Sequence, residues 1–415
     1  MAKRPDASVP GIVVVDKPAG LTSHDVVSRM RRLAHTRKVG HGGTLDPMAT
    51  GVLVVGVGKA TRLLTHVTGH SKTYEATIRF GATTTTDDAE GGLVETRGCP
   101  GLDATRLSVE MAKLRGEIDQ VPSSVSAKKI DGRRAYALVR EGREVELAAN
   151  RVTVFRFEAL SAPRPAHLLI DEDGARAGSG ENARVEAGID VVDLDVVVDC
   201  SSGTYIRALA RDLGAALGVG AHLTRLRRTR VGGFSLGDCR TLASLEDEAA
   251  ARESDAGEGR APEPGQAPPP APGLIPLDEA VRAMFPVLDL DPEEAGRFLH
   301  GNPPARERAE VLALLASGPA GADGGAGASQ ALRTDSDRES GAGGESGSGS
   351  SRSEANNRAP SSSIDVQDAL AGPRGPASRD AAPILAAAAP DGRILGLIDA
   401  SRKRLTTVCV FFGGE

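Results

Sequence analysis

A glycine- and proline-rich stretch, residues 40–51, is the feature that most constrains how this chain can fold. Four glycines and one proline within twelve residues make the backbone turn sharply instead of continuing a helix or strand. The apolar run at 52–57 follows at once and predicts a buried strand. Asp46 therefore lies on a rigid loop, where a carboxylate can act as nucleophile, acid, base or metal ligand. The alternative is a turn-forming Asp that bonds its own backbone.

The charge of the chain is uneven along its 415 residues, a length that suits two or three domains. The net charge of −6 by itself argues against a nucleic-acid partner, but residues 1–250 carry 34 Lys and Arg against 32 Asp and Glu. Local basic clusters, not net charge, mark phosphate binding, so RNA or DNA is a candidate partner and a solvated surface is the alternative. Three clusters stand out: Arg29, Arg31, Arg32, Arg37 and Lys38; Lys128, Lys129, Arg133 and Arg134; Arg225, Arg227, Arg228 and Arg230.

The cysteines and the N-terminus point to a reducing, cytoplasmic setting. The four cysteines are far apart and lack the spacing of a metal site or a disulfide framework. The N-terminus has no apolar core of a signal peptide, and no run approaches the ~18 apolar residues of a membrane span. We therefore expect neither a metal nor a membrane partner.

Hydrophobic periodicity predicts strands and helices along the whole chain. The predicted strands are residues 11–15, 52–57, 73–80, 152–160, 192–198, 221–234, 383–389, 394–399 and 405–412. The predicted helices follow Thr22 or Ser23 and Thr204, and cover residues 63–69, 102–118, 134–140, 277–284 and 292–299, with 311–315 continuing the last folded part. Tyr74 falls on the apolar face of a half-buried strand, whereas Arg207 and Arg211 fall off the apolar face of their helix.

Composition divides the chain into a large and a small folded part. Residues 1–8 are predicted to be flexible, and 9–249 form the large domain, with an arm at about 120–150 and a variable insertion at about 162–188. A Pro/Gly/Glu-rich linker covers 250–273. The small domain covers 274–415, with a hairpin turn at Asp391-Gly392, and low-complexity residues 318–382 are predicted to be a disordered insertion.

Several motifs occur together that resemble a known family. They are Asp16-Lys17-Pro18-Ala19-Gly20-Leu21-Thr22-Ser23, Lys38 through Gly51, Lys72-Thr73-Tyr74, the loop 86–91, Cys200 through Arg207 with Asp212-Leu213-Gly214, and Ala221-His222-Leu223 with Leu226-Arg227-Arg228. In these residues the sequence resembles the bacterial tRNA pseudouridine-55 synthases, the TruB family, over about residues 9–245. The arm segment 120–128 keeps only part of the family pattern.

The resemblance implies a role for each matching residue. Asp46 matches the catalytic aspartate, Tyr74 the tyrosine that stacks on the flipped base and is a candidate for proton transfer, and Arg207 the arginine paired with the catalytic carboxylate. Asp88 looks like a second acid that holds this arginine at the substrate site. The remaining matches line the uridine pocket: His41, Tyr205 and Leu226. A cation beside Asp46 would favour its ionised, nucleophilic form.

The resemblance also implies the fold and the partners. The expected fold is α+β, the pseudouridine-synthase fold, with a central mixed or antiparallel sheet flanked by helices and a small β-rich, PUA-like C-terminal domain. The expected activity is isomerisation of the T-loop uridine of tRNA without a cofactor, by a cytoplasmic monomer that needs no guide RNA or obligatory protein partner. A tRNA-folding chaperone role and a guide-RNA-dependent enzyme are the alternatives.

Overall fold

The computed structural model describes residues 9–123, 129–130, 133–134, 148–170, 187–255, 269–317 and 384–411. Twenty strands are assigned within these ranges. They are β1 (Gly11–Lys17), β2 (Val39–His41), β3 (Thr50–Val57), β4 (Lys72–Phe80), β5 (Ala82–Thr84), β6 (Leu93–Thr96), β7 (Gly116–Gln120), β8 (Lys129–Ile130), β9 (Arg133–Arg134), β10 (Asn150–Ala159), β11 (Arg164–Ile170), β12 (Ala187–Cys200), β13 (Ala221–Val231), β14 (Phe234–Ser235), β15 (Arg240–Thr241), β16 (Ile275–Pro276), β17 (Val287–Asp289), β18 (Ile384–Ala388), β19 (Ile394–Asp399) and β20 (Thr406–Val410).

The helices of the described ranges lie between these strands. They are α1 (Ser23–Leu33), α2 (Leu64–Gly69), α3 (Ala104–Lys113), α4 (Ile206–Leu217), α5 (Leu242–Asp255), α6 (Leu277–Met284), α7 (Pro292–Leu299) and α8 (Arg308–Ser317). Thr22 caps α1, because its hydroxyl accepts from the Asp25 amide while the Asp25 carboxylate accepts from the Thr22 amide. Among the described helices none is long and apolar enough to cross a bilayer.

One large mixed sheet dominates the fold, with the strand order β15-β1-β3-β13-β4-β12-β10-β7. Most neighbours are antiparallel, but β1 pairs with β15 and β3 pairs with β13 in parallel. Helices α1, α3 and α4 cover one face of this sheet and share one apolar cluster with it. This arrangement confirms the predicted α+β class with a mixed central sheet.

The sequence pattern of each strand reflects how many of its faces are covered. In β1, Val13 and Val15 pack on one side of the sheet and Ile12 and Val14 on the other, so the strand is an unbroken apolar run. In β4, Tyr74 and its alternate neighbours face the cluster under the helices, and the intervening residues are polar. This distribution confirms the prediction of a half-buried strand.

The small β-rich part is a four-stranded sheet in the order β17-β18-β19-β20. Gly392, at φ +83°, turns β18 into β19 and confirms the predicted hairpin. Helix α6 lies between this sheet and the large one, and their apolar side chains form one cluster. The strand β16 pairs with β1, so the chain just after the predicted linker joins the large sheet.

Three sequence predictions need correction. The helix predicted over 102–118 ends at Lys113, and Gly116, at φ +85°, starts β7. The segment 162–188 is not entirely an insertion, because β11 pairs along the first half of β12 and extends the sheet. The linker predicted to begin at 250 begins later, because α5 continues to Asp255.

Several other predictions fall outside the described residues. These are the flexible residues 1–8, the disordered insertion 318–382, and most of the arm with its predicted helix at 134–140. In the described part of the arm, Arg133–Arg134 form a short strand paired with β8 instead of starting a helix.

Candidate active site

The Asp46 loop, residues 42–49, connects β2 to β3. Its middle is fixed by the buried Ser23, whose Oγ donates to the Leu45 carbonyl at 3.1 Å and accepts from the Leu45 amide at 2.8 Å. After Asp46 the chain turns, and the Asp46 carbonyl accepts from the Ala49 amide at 3.1 Å. The backbone is thus held on both sides of Asp46, so its carboxylate is oriented before a ligand arrives.

A buried lysine lies beneath the Asp46 loop. Lys17, at the end of β1, has no exposed surface, and its Nζ donates to the carbonyls of Pro18 at 2.9 Å, Leu21 at 2.6 Å and Pro47 at 3.1 Å. Burial lowers the pKa of Lys17 to about 8, while the negative charge of Asp46 acts in the opposite direction. The loop therefore rests on a cation that hydrogen-bonds its backbone.

Arg207 joins the Asp46 loop to the loop after β5. Its Nη2 is 3.0 Å from Asp46 Oδ2, its Nη1 is 3.1 Å from Asp88 Oδ2, and Nη1 also donates to the Thr86 carbonyl at 3.0 Å. The Arg207 side chain is 7% exposed and that of Asp46 is 36% exposed. The prediction that Arg207 lies off the buried face of its helix is wrong, because carboxylates from two other segments pair with it inside. The accessible partner of this ion pair is Asp46.

Asp88 lies behind Arg207 and is 2% exposed. Its Oδ2 contacts Arg207, and its Oδ1 accepts from the Thr86 hydroxyl and from the Glu90 amide. Both carboxylate oxygens of Asp88 are thus engaged with protein groups, one of them Arg207. Nearby, desolvation raises the pKa of Glu90, and the negative charges of Asp88 and Asp46 act in the same direction.

Tyr74 lies near the start of β4, between Val198 of β12 and Arg228 of β13. It is 7% exposed and belongs to the apolar cluster under the helices. Burial raises the pKa of Tyr74, and the positive charge of Arg228 opposes this shift. The phenol is therefore neutral near pH 7, where it can donate a proton but is a poor base.

The other three predicted pocket residues lie on three different elements. His41 ends β2, and burial lowers its pKa, with the charge of Arg228 acting in the same direction. Among the described residues, the buried His41 Nδ1 has no hydrogen-bond partner. Tyr205 precedes α4, and the side chain of Gln120 holds its amide at 2.7 Å and its carbonyl at 3.0 Å. Leu226 is buried on β13.

The assembled site offers an accessible carboxylate backed by a buried guanidinium. Such a carboxylate can attack an electrophilic carbon, while the guanidinium stabilises the negative charge that shifts during the reaction. Within the ranges that the structure describes, no three His, Cys, Asp or Glu side chains are grouped so that they could hold a metal ion.

Comparison with known proteins places this site in a family. The chain matches the family model "TruB family pseudouridylate synthase (N terminal domain)" over residues 31–206, and "tRNA pseudouridylate synthase B C-terminal domain" over residues 207–282. The chain belongs to the TruB family of pseudouridylate synthases. The first match contains Asp46, Tyr74 and Asp88, and the second begins at Arg207, so the ion pair joins the two matched regions.

Similar proteins from bacteria bear the name tRNA pseudouridine synthase B. That of Mycobacterium sp. (strain KMS) is 51% identical over 320 residues, which cover 74% of this chain and 93% of the relative. That of Paenarthrobacter aurescens (strain TC1) is 59% identical over 238 residues, which cover 57% of this chain and 70% of the relative.

Solved structures share the fold of this TruB family member at low sequence identity. The "Crystal Structure of a Cbf5-Nop10-Gar1 Complex" aligns with 99% of this chain and 92% of its own, at 20% identity and a TM-score of 0.55. The "Structure of H/ACA RNP bound to a substrate RNA containing 2'-deoxyuridine" aligns with 97% and 85%, at 20% identity and a TM-score of 0.52. These likenesses confirm the fold class.

The four arginines of the third basic cluster of this TruB family member all contact protein groups. Arg225 lies 3.4 Å from Glu75, and Arg227 pairs with Asp16 at 2.8 Å. The remaining two bond to backbone or hydroxyl groups: Arg228 to the carbonyls of Gly43, Thr44 and Val52, and Arg230 to Thr73, Ser71 and Gly232. The interpretation of this cluster as a phosphate-binding stripe is therefore wrong for Arg228, which is buried.

The sequence did not reveal the residues that hold the predicted site residues in place. Lys17 was only part of a motif, and Ser23 was part of the same motif and a candidate helix cap. Arg228 belonged to a motif and to a basic cluster, and Gln120 to the arm. One signal was available for Lys17, since a lysine that ends a buried apolar strand needs internal partners. For the other three, the partners come from distant segments, so spacing alone does not reveal them.

Proposed function

We propose that this protein converts the T-loop uridine at position 55 of tRNA to pseudouridine, with Asp46 as the nucleophile. The observation that carries the proposal is the ion pair of 3.0 Å between the accessible Asp46 carboxylate and the buried Arg207. The names of the relatives and the TruB family membership support tRNA as the substrate. The position within tRNA is implied by the sequence motifs that resemble the pseudouridine-55 synthases.

The chemistry needs no external reagent, because substrate and product are isomers. The bond between N1 of the base and C1′ of the ribose breaks, the base rotates, and a bond forms between C5 and C1′. The hydrogen on C5 leaves as a proton, and N1 gains a proton. Asp46 attacks C1′ of the ribose or C6 of the base, or acts while a glycal forms. We propose that no cofactor takes part in any of these routes.

A paired and stacked uridine cannot reach Asp46, so the base must be flipped out of its loop. We propose that the ring of Tyr74 stacks on the flipped base, and that His41, Tyr205 and Leu226 line the pocket. The neutral His41, with its unpartnered Nδ1, suits hydrogen bonding to a base or ribose. The raised pKa of Tyr74 keeps its hydroxyl protonated near pH 7, and we propose that this hydroxyl takes part in proton transfer.

We further propose that the chain acts alone on the T-arm of tRNA, as a cytoplasmic monomer without a guide RNA. The solved structures named above are complexes with other proteins or with RNA, and they share only the fold with this chain. Incubation of the purified chain with an unmodified tRNA transcript distinguishes action alone from action that depends on a guide RNA. Pseudouridine at position 55 supports action alone, and its absence until a guide RNA is added contradicts it.

The role of Asp46 is tested by Asp46→Asn in the same assay. We expect no pseudouridine and tRNA affinity within about threefold of wild type, because asparagine keeps the shape and removes the nucleophile. Asp247→Asn, an exposed change on α5, is the matched control and should stay active. An active Asp46→Asn enzyme would contradict the mechanism. Growth rescue by an inactive Asp46→Asn variant would instead identify tRNA folding as the selected role.

A further inference from the structure

Three buried side chains from three distant elements hold the backbone of the Asp46 loop. Lys17 of β1 bonds its Pro47 carbonyl, and Ser23 of α1 bonds both backbone groups of Leu45. Arg228 of β13 donates through Nη2 to the Gly43 carbonyl at 3.1 Å and through Nη1 to the Thr44 carbonyl at 3.3 Å. The loop is therefore clamped from outside and does not depend on its glycines and proline alone.

Arg228 is the least expected member of this clamp, because it is a cation with only 1% of its surface exposed. Its Nε donates to the Val52 carbonyl at 2.8 Å, so all three guanidinium nitrogens bond carbonyls in or directly after the Asp46 loop. No carboxylate is found within ion-pair distance of Arg228 among the described residues. A buried charge held only by carbonyls is costly, and a planar fork of donors is the feature that only arginine supplies.

The same arginine also lies beside a second side chain of the proposed site. Arg228 lies directly opposite Tyr74 across the β13–β4 pair, and its positive charge opposes the rise in the pKa of Tyr74. The residue whose guanidinium bonds the backbone of the Asp46 loop is thus also the β13 neighbour of Tyr74. Gly51 allows β3 to pair with β13 at this point, because a Cβ there would lie 2.1 Å from the Arg228 carbonyl oxygen.

We propose that Arg228 is a positioning residue that fixes the backbone of the Asp46 loop next to Tyr74, so that both face one nucleoside. This inference rests on the proposed function. It predicts that loss of the fork slows the chemical step and leaves tRNA binding unchanged, because Arg228 is buried and its guanidinium bonds protein carbonyls. A phosphate-binding arginine would behave in the opposite way, with weaker binding and a smaller salt dependence.

The test is Arg228→Lys, which keeps the charge and replaces the three-nitrogen fork with one ammonium. We expect the single-turnover rate to fall by about 10- to 100-fold, the scale of a misplacement near 1 Å. The Kd for tRNA and its salt slope should stay at their wild-type values. Arg225→Lys is the matched control on the same strand, since Arg225 is an exposed arginine with a 3.4 Å contact to Glu75, and its rate should stay within twofold.

Three results would overturn the inference. The first is an Arg228→Lys variant with the wild-type rate. The second is a salt dependence of tRNA binding in Arg228→Lys that is weaker by about one phosphate contact. The third is a rate loss in Arg228→Lys that is fully explained by the fraction of molecules unable to bind tRNA. If Arg228→Lys does not fold, Ser23→Ala tests the same clamp by removing one hydroxyl. A slower rate with unchanged Kd in Ser23→Ala supports the clamp, and a wild-type rate contradicts it. An inactive wild-type enzyme would instead refute the proposed function.

Discussion

Replacing Arg207 with methionine isolates the ion-pair network at the centre of the site. In the wild type, Arg207 lies 3.0 Å from Asp46 and 3.1 Å from Asp88. Methionine fills much of the same space without a charge, so Asp88 remains buried without its cation. The variant therefore affects stability through Asp88 and the reaction through Asp46.

The two effects can be sized separately. Removing one partner of a buried ion pair costs about 3–5 kcal/mol, because the other charge is left unpaired. Asp88 keeps its hydrogen bonds from Thr86 and Glu90, so we expect the lower end, about 3 kcal/mol. At ~2–4 °C per kcal/mol, the Tm should fall by roughly 6–12 °C. Asp46 loses its orienting partner, and the single-turnover rate should fall by at least ~10²-fold.

A second substitution separates the two roles. In the double variant Arg207→Met, Asp88→Asn, the asparagine oxygen still accepts from Thr86 and Glu90 but carries no charge. We therefore expect most of the lost Tm to return while the rate stays low, because Asp46 still lacks its cation. Arg29→Met is the control, since it removes an exposed ion pair with Glu246, which is worth about 0–1 kcal/mol.

The measurements are thermal melts by circular dichroism and nucleoside analysis of tRNA after a single turnover. A double variant that melts as low as Arg207→Met would show that an unpaired Asp88 is not the source of the instability. Recovery of the rate in the double variant would refute the assignment of Arg207 as the partner of Asp46.

Two further predictions concern pH and salt. Burial lowers the pKa of Lys72 from 10.5 to about 8. Between pH 8 and 10.5 the unfolded chain therefore binds more protons than the folded one. The free energy of unfolding then rises with pH, by up to about 3 kcal/mol. In urea titrations from pH 7 to 10, Lys72→Met should lose the Lys72 share of this rise and keep the share of Lys17, whose pKa is also lowered to about 8. A variant whose free energy of unfolding rises with pH as steeply as that of the wild type would contradict a lowered pKa of Lys72. Binding of tRNA should weaken steeply as the salt concentration rises. Arg37→Met removes an exposed cation of the first cluster and should lower the slope of log binding constant against log salt concentration by about one. A wild-type affinity that does not change with salt would contradict phosphate contacts.

Much of the local structure follows from short-range pattern. The predicted bounds of α6, α7 and β19 agree with the structure, because each is a periodic run with clear ends. The cap at Thr22 was one of two candidates, and hydrogen bonds with Asp25 decide it. The apolar pattern did not locate the boundary between a helix and the strand that follows it. The prediction merged α3 and β7, because β7 lies at the sheet edge and its apolar and polar residues alternate only weakly.

The position of the charged residues was harder to predict than the elements that carry them. By pattern alone, Arg207 falls on the polar side of its helix and Arg228 falls in a basic cluster. In the structure both are buried, whereas Arg225, three residues before Arg228 on the same strand, is exposed. A charge is buried only where other segments supply acceptors, and the acceptors of Arg207 and Arg228 come from loops far away in the chain.

The sequence alone determined the family, the catalytic candidate Asp46 and the alternation of strands and helices, since motifs and periodicity are properties of neighbouring residues. The resemblance implied that Arg207 pairs with Asp46, but only the tertiary structure decided that Arg207 is buried and that Lys17, Ser23 and Arg228 hold the loop. The physical reason is that these contacts depend on strand register and helix orientation, which bring groups from separate segments within hydrogen-bond distance.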